Sequence, residues 1–568
     1  MRWLELHGPL HTRLLCALLC ALLALALAGQ PATAATRDPA NTAAAAGGAF
    51  IALCYHEVRN DVRDYPDPYA VDDGALVAQF AWLRGNGYTP VSIDEIIAAR
   101  AGGKPLPAQA VLLTFDDAYL SFYTRVYPLL REFHFPAVLA VVGSWIDTPQ
   151  GENVQYGEKG SVPRASFPTW GELREMAASG LVEIASHTYD LHRGVPANPQ
   201  GNLQPAATAR VYDAATRTYE NDASWRARVR ADLARNAEVI ARETGRQPRA
   251  IVWPYGSYND ELVRMAGELG SAVALTLGDG ANTIDVPLTA VRRRLVEHNP
   301  ALADFVAAVR GPQYPAPVRA VQIDLDDVYS ADPLEQERNL SALLDRIQIF
   351  KPTHVYLKAY AGAAGVAEAV YFPNRHVAMR ADLFNRAAWQ LATRTDAIVV
   401  ALLPVAGFHL RPNIIAEVYE DLARYANFEG LLFNDDPALV ASAGASSVEF
   451  TQQLAVRARA FRAPLMIARS LDAGPLAARI AHEPAYPGDA RKVVFMLHNP
   501  GSRSERNPRS NVLAQQMRAL QLRGELNFGY RPDDFRHDDP PLAKFAPAMS
   551  LRVYPPQSRP AGLMGAAP

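Results

Sequence analysis

The chain is poor in cysteine: three in 568 residues, two of which (Cys16 and Cys20) fall in an apolar stretch near the start. Beyond that stretch only Cys54 remains, so no internal disulfide can form there and stability must come from core burial. The chain also lacks a charge imbalance. Its 56 Lys and Arg face 59 Asp and Glu, a formal charge of −3. With no Lys/Arg-rich block, the electrostatic case for nucleic acid falls away. After Ala28 no run is long and apolar enough to cross a bilayer.

Arg2 and Arg13 precede "LLCALLCALLALALA" (Leu14–Ala28), and "GQPATAAT" follows, with Ala32, Thr33 and Ala34 as a small-residue cleavage site. That order reads as a secretory signal peptide over residues 1–34, with an uncleaved anchor as the alternative. Cys16 and Cys20 each follow leucine, which argues against a lipoprotein signal. The reading places the mature protein in the periplasm or outside the cell. Residues 35–48, "ATRDPANTAAAAGG", read as a linker.

From residue 49 strand and helix patterns alternate. "FIALCYHEV", "AVLLTFDD", "PAVLAVVG", "LVEIASHT" and "AIVWPYG" read as strands, with helical periodicity between most of them. The alternation predicts a parallel α/β unit over 49–311, a barrel or distorted barrel. "GPQYPAPV", three prolines without periodicity, marks the boundary near 311–318. Alternation then restarts through "AVQIDLDD", "HVYLKAY", "AIVVALLPV", "FEGLLFNDD", "APLMIAR", "KVVFMLH" and "ELNFGY". Seven or eight βα units over 317–555 would close a second β/α barrel. Residues 556–568 read as a disordered tail.

Chemistry in α/β folds sits at the carboxyl ends of strands. One strand there runs into Asp116 and Asp117, and another into His187 and His192. Taken singly, an Asp pair is a common turn or helix cap and two histidines are common core or surface residues. Together, one carboxylate and two imidazoles make a ligand set for a catalytic divalent metal, and the second aspartate is left to act as a base. Cys54 lies two residues before His56, so a strand turns both to one face; a packed small side chain is the reading there, with a thiolate ligand as the alternative.

"TFDDAYLSFY" resembles the TFDD signature of the polysaccharide deacetylase superfamily, and "SHTYDLH" its paired-histidine metal motif in a five-spaced form. With "VGSWIDTP", "VWPYGSYND", "VQIDLDDVYSADPLEQERNL", "YFPNRHVAMRADLFNRAAWQL", "LLFNDD" and "NFGYRPDDF", the chain resembles the periplasmic poly-β-1,6-N-acetyl-D-glucosamine N-deacetylases of biofilm polysaccharide export. The resemblance implies that Asp117, His187 and His192 are metal ligands and Asp116 the general base. It implies His56 as general acid and the backbone N–H of Tyr255 as an oxyanion donor. Zinc is the default for such a site; the resembled family also works with iron, cobalt or nickel. The implied substrate is the β-1,6-linked N-acetylglucosamine polymer, with an outer-membrane porin and an inner-membrane synthase as partners. Many relatives have glycine where Ala118 stands, a strained substitution if that position needs positive φ.

The second half places Asp324, Asp326 and Asp327 after one strand and Asp435 and Asp436 after another. Such acids suit either glycoside hydrolysis or the binding of a cationic, partly deacetylated polymer. The resemblance implies Asp435 as the first candidate acid, with Asp324, Asp326 and Asp436 in the polymer-binding cleft. Two other readings of the whole chain stay open: a non-catalytic polysaccharide-guiding protein, and a deacetylase of peptidoglycan or chitin.

Overall fold

The computed structural model describes residues 48–64, 67–157, 160–311, 316–363, 365–433, 448–471, 477–483, 492–499 and 509–551. The expected signal peptide, the linker up to Gly47, the pair Asp435 and Asp436, and the tail lie outside the described residues. Among the described residues no helix is long and apolar enough to cross a membrane.

The first half is built on parallel strands β1 (Phe50–Tyr55), β2 (Ala110–Phe115), β3 (Ala137–Val141), β4 (Val182–Ser186), β5 (Ala250–Val252), β6 (Val273–Leu275) and β7 (Arg294–Leu295). They pair in the order β6-β5-β4-β3-β2-β1-β7, and a short Thr89–Pro90 piece pairs with β2. Every residue of β2 and β3 is buried, as expected for strands covered on both faces. The sheet curls almost shut. Val291, three residues before β7, exchanges backbone hydrogen bonds with Ala274 and Thr276 at the end of β6. This is the distorted barrel that the alternation predicts; β6 and β7, three and two residues long, are too short to carry a periodic signal.

Parallel register brings the strand ends to one level. Tyr55 pairs with Phe115, Val141 with Ser186, and Ile251 with Ser186. The residues that follow these strands, among them His56, Asp116, Asp117 and His187, therefore share one edge.

The second half closes into an eight-stranded barrel: β8 (Arg319–Asp324), β9 (His354–Lys358), β10 (Ile398–Leu403), β11 (Gly430–Phe433), β12 (Met466–Leu471), β13 (Ala477–Glu483), β14 (Lys492–His498) and β15 (Phe528–Arg531). One feature departs from repeated βα units: β13 is antiparallel to both neighbours. Five residues separate β12 from β13, and a parallel crossover needs about a dozen or more. Its sequence, "AARIAHE", lacks the apolar run that marks the other strands.

A polar seam joins the halves. The hairpin Gly194–Pro196/Leu203–Pro205 reaches the helix Phe384–Thr395, where Gln204 Nε2 donates to Asn385 Oδ1 at 2.7 Å and Asn385 Nδ2 donates to the Ala197 carbonyl at 3.0 Å. Nearby, Tyr219 hydrogen-bonds Asp382, and Ala463 N donates to the Tyr258 carbonyl at 3.1 Å.

Candidate metal centre

Strand β2 ends in a loop that bends sharply. Asp117 and Ala118 both hold positive φ, 70° and 49°. For residues with a Cβ this region is costly, about 1–2 kcal/mol each, so Ala118 does sit where glycine would be easier. Backbone strain of this kind tends to persist where surrounding packing fixes it, often at functional sites. The bend sends the two aspartates in different directions.

Asp117 faces two histidines. Its Oδ1 lies 3.4 Å from His187 Nε2 and 3.2 Å from His192 Nε2, and ligand atoms of all three residues lie within 4.8 Å of one another. The three side chains are buried or nearly so. Oδ2 accepts the Tyr156 hydroxyl at 2.8 Å, while Oδ1 has no hydrogen-bond partner. A buried carboxylate oxygen left without a donor is costly. Here it points at two imidazole nitrogens, so a cation fits the gap. His187 Nδ1 meets the Val252 carbonyl at 2.8 Å, the outer contact that sets a ligating imidazole's tautomer and leaves Nε2 to the metal. Burial raises the Asp117 carboxyl, but His192 and His187 more than offset it and hold it well below the usual range. Burial pulls the His187 ring down, and Asp117 and Asp116 outweigh it, leaving it raised.

Asp116 faces the other way, into a buried pair. Arg293 donates Nη1 to Oδ1 at 2.6 Å and Nη2 to Oδ2 at 2.9 Å, and its Nε donates to the Thr276 carbonyl. The Cys54 thiol adds a weak donor to Oδ2 at 3.4 Å. Burial pushes the Asp116 carboxyl up, the guanidinium pulls it down further, and the net value is about 2. Cys54, His56 and Asp116 also cluster closely enough to ligate an ion. The Arg293 charge on the same carboxylate opposes a cation there, so of the two clusters Asp117, His187 and His192 fit a cation better. Cys54 is thus buried, as expected, but it is also a hydrogen-bond donor.

His56 belongs to the Asp116 side, and its Nδ1 is buried without a hydrogen-bond partner. Tyr255, in the Pro254–Gly256 turn after β5, has φ 58° and sets its ring 4.7 Å from that of His192, tilted by 47°. All six residues singled out in the first half thus converge on one strand-end edge. Two contributors carry no sequence signal. Arg293 stands in "VRRRLVEH", where three arginines look alike, and Tyr156 lies in an irregular hairpin region.

The second barrel differs from its expectation. Lys358, on β9, spends all three ammonium protons: on Asp324 Oδ2 (2.6 Å), Asp326 Oδ2 (3.1 Å) and the Gly362 carbonyl (2.6 Å). Asp326 also accepts from Tyr371, Arg380 and Gly362 N, filling the roughly four acceptor directions of a carboxylate. Asp327 pairs with Arg536. The three acids are therefore paired with Lys358, Arg380 and Arg536, and the acceptor directions of Asp326 are taken. Burial raises the Asp324 carboxyl despite Lys358. Lys358→Met leaves Asp324 and Asp326 without their shared cation, and at this half-buried site we expect a loss of about 2 kcal/mol in barrel stability. Chemical denaturation followed together with deacetylation would check it: the first should shift and the second should not.

Residues 103–274 match the family described as Polysaccharide deacetylase, and residues 322–414 match Hypothetical glycosyl hydrolase family 13. The chain is 33% identical to the poly-β-1,6-N-acetyl-D-glucosamine N-deacetylase of Escherichia coli K12, across 89% of this chain and 92% of that one. Among solved structures, the deacetylase domain from Bordetella bronchiseptica is 50% identical, covering 44% of this chain and 96% of its own, with a TM-score of 0.41. The glycoside hydrolase domain from the same organism is 27% identical, covering 42% of this chain and 100% of its own, with a TM-score of 0.35.

Proposed function

The chain belongs to the family of poly-β-1,6-N-acetyl-D-glucosamine N-deacetylases, and on that premise we propose that it removes acetyl groups from this polymer during exopolysaccharide export. The observation that carries the reading is the convergence of Asp117, His187 and His192 around an Asp117 oxygen that has no hydrogen-bond partner. These three residues would hold a divalent ion, zinc by default, with iron, cobalt or nickel as alternatives. When bound, the ion supplies Lewis-acid polarisation of the acetamide carbonyl and acidifies the attacking water.

The chain's own groups supply the proton transfers. Asp116 takes the proton of the attacking water. Of its roughly four lone-pair directions Arg293 occupies two and Cys54 a third, so one remains, on Oδ1. With its value held near 2, Asp116 is ionised throughout the neutral range. The Tyr255 N–H would donate to the developing oxyanion, the role that the family resemblance implies. His56, whose Nδ1 is uncommitted, gives a proton to the departing nitrogen. The C–N bond breaks, a C–O bond forms, and acetate and a glucosamine unit result.

The second barrel binds the product polymer through groups other than Asp326, a reading that its match to Hypothetical glycosyl hydrolase family 13 and the family resemblance support. Cleavage would need an acid such as Asp435, which lies outside the described residues. The mature protein works in the periplasm beside an outer-membrane porin and an inner-membrane synthase, as the signal-like start and the family resemblance support. Purified protein should release free amines from acetylated β-1,6-glucosamine oligomers when a divalent metal is present, and far fewer from chitin oligomers. Intact chains after deacetylation would make the barrel a binder, and shortened chains would make it a second enzyme. No amines with any metal would sink the proposal.

A further inference from the structure

Helical zinc motifs place two histidines four residues apart, so that one helix face presents both. Here the histidines are five apart, and the residues between them, Thr188 to Leu191, form neither helix nor strand. Their convergence must be imposed from outside the segment. We infer that Asp232, on the helix Asp222–Thr244, is a positioning residue that holds this loop in the conformation turning both imidazoles toward Asp117. The inference rests on the metal reading of Asp117, His187 and His192.

Thr188 has φ 69°, a conformation that an unsupported loop leaves readily. Its neighbours are held on both sides. The Thr188 and Tyr189 carbonyls accept from Gly143 N (3.3 Å) and Ser144 N (2.9 Å). On the opposite side, Tyr189 N donates to Asp232 Oδ1 at 2.8 Å and Asp190 N donates to Asp232 Oδ2 at 2.7 Å. Leu191 N closes on Thr188 Oγ1 at 3.2 Å. Asp232 therefore supplies the acceptors for two of the loop's four amides, one with each carboxylate oxygen. One turn further along the same helix, the buried Asn236 donates Nδ2 to the Val141 carbonyl (3.1 Å) and Ser186 Oγ (2.8 Å), fixing the strand ends from which the loop departs. No proton transfer in the reaction uses Asp232. Its place on the backbone between two ligands matches an outer-shell role, whose loss typically costs about 10–100-fold in metal affinity.

The test uses the full mature chain, stripped of metal and titrated with Co²⁺, reading both the affinity and the visible absorption band of the bound ion. Asp232→Ala should weaken Co²⁺ binding about 10–100-fold and alter the band, while the apo protein's thermal unfolding stays close to that of the parent. Asp232→Asn keeps one acceptor oxygen and should recover part of the affinity; it also stands in if the alanine variant fails to fold. His187→Ala is run alongside. If His187→Ala loses the ion while both Asp232 variants bind with parental affinity and spectrum, the positioning role is wrong. If His187→Ala itself binds like the parent, the metal reading is what fails.

Discussion

Asp117→Ala and His187→Ala should each abolish metal binding and amine release together. Neither leaves a complete three-ligand set, and the remaining ligand atoms cannot enclose an ion as the intact triad does. The expected fall in deacetylation is at least about 10³-fold, equivalent to about 4 kcal/mol of barrier. Elemental analysis of the purified variants and a fluorogenic amine assay on oligomers read the two losses separately. A variant that keeps a stoichiometric ion would remove its residue from the ligand set. A variant that keeps parental turnover would remove the whole site from the reaction.

Arg293→Met has the largest expected effect on stability. The pair with Asp116 is buried on both sides, 0% and 5% exposed at the side chains. Breaking such a pair by removing one partner costs about 3–5 kcal/mol, because the other charge stays buried alone. For a domain of this size that lowers Tm by roughly 10 °C. The pH dependence has a defined sign. Asp116 is held at about 2, below its unfolded value near 3.9. It therefore adds stability above the unfolded value and loses it as pH falls from there through about 2. Without Arg293 the leading influence is burial, which raises the carboxyl, so the acid limb of kcat/KM moves to higher pH. The double variant Arg293→Met/Asp116→Asn carries no unpaired charge and should regain much of the lost stability. A single variant that unfolds within about 1 kcal/mol of the parent would show the pair to be dispensable.

Asp116, Asp117 and His187 were legible in the sequence because they follow apolar strands directly, where a charged or imidazole side chain interrupts a buried run; His192, five residues on, was legible only through its spacing from His187. The residues that govern them were not. Arg293 lies 177 positions from Asp116 and is one of three consecutive arginines; only the curl of the sheet, which sets β7 beside β1, selects it. Asp232 sits in "RADLARNAEV", where alternating charges read as a solvated helix face. Composition misleads most in the second barrel. Asp324, Asp326 and Asp327 look like a run of anions, and their neutralising cations come from β9, the loop after β9 and the far end of the chain. Charge counted along a sequence says little about charge summed at a point in space.

The described contacts of the seam are mostly polar: amide and backbone hydrogen bonds around Gln204 and Asn385, the Tyr219–Asp382 bond and the Arg424–Asp222 ion pair, with a Tyr219–Tyr425 ring contact beside them. Interfaces of that character resemble those of partners that associate and part in solution rather than a core cut in two. Dissection is then practical: cutting within the 311–318 stretch exposes groups that water can satisfy. Mixing the two halves in trans then separates what proximity contributes from what each half contributes alone. A linked pair that outpaces the same two pieces added separately would measure the effective concentration set by the seam.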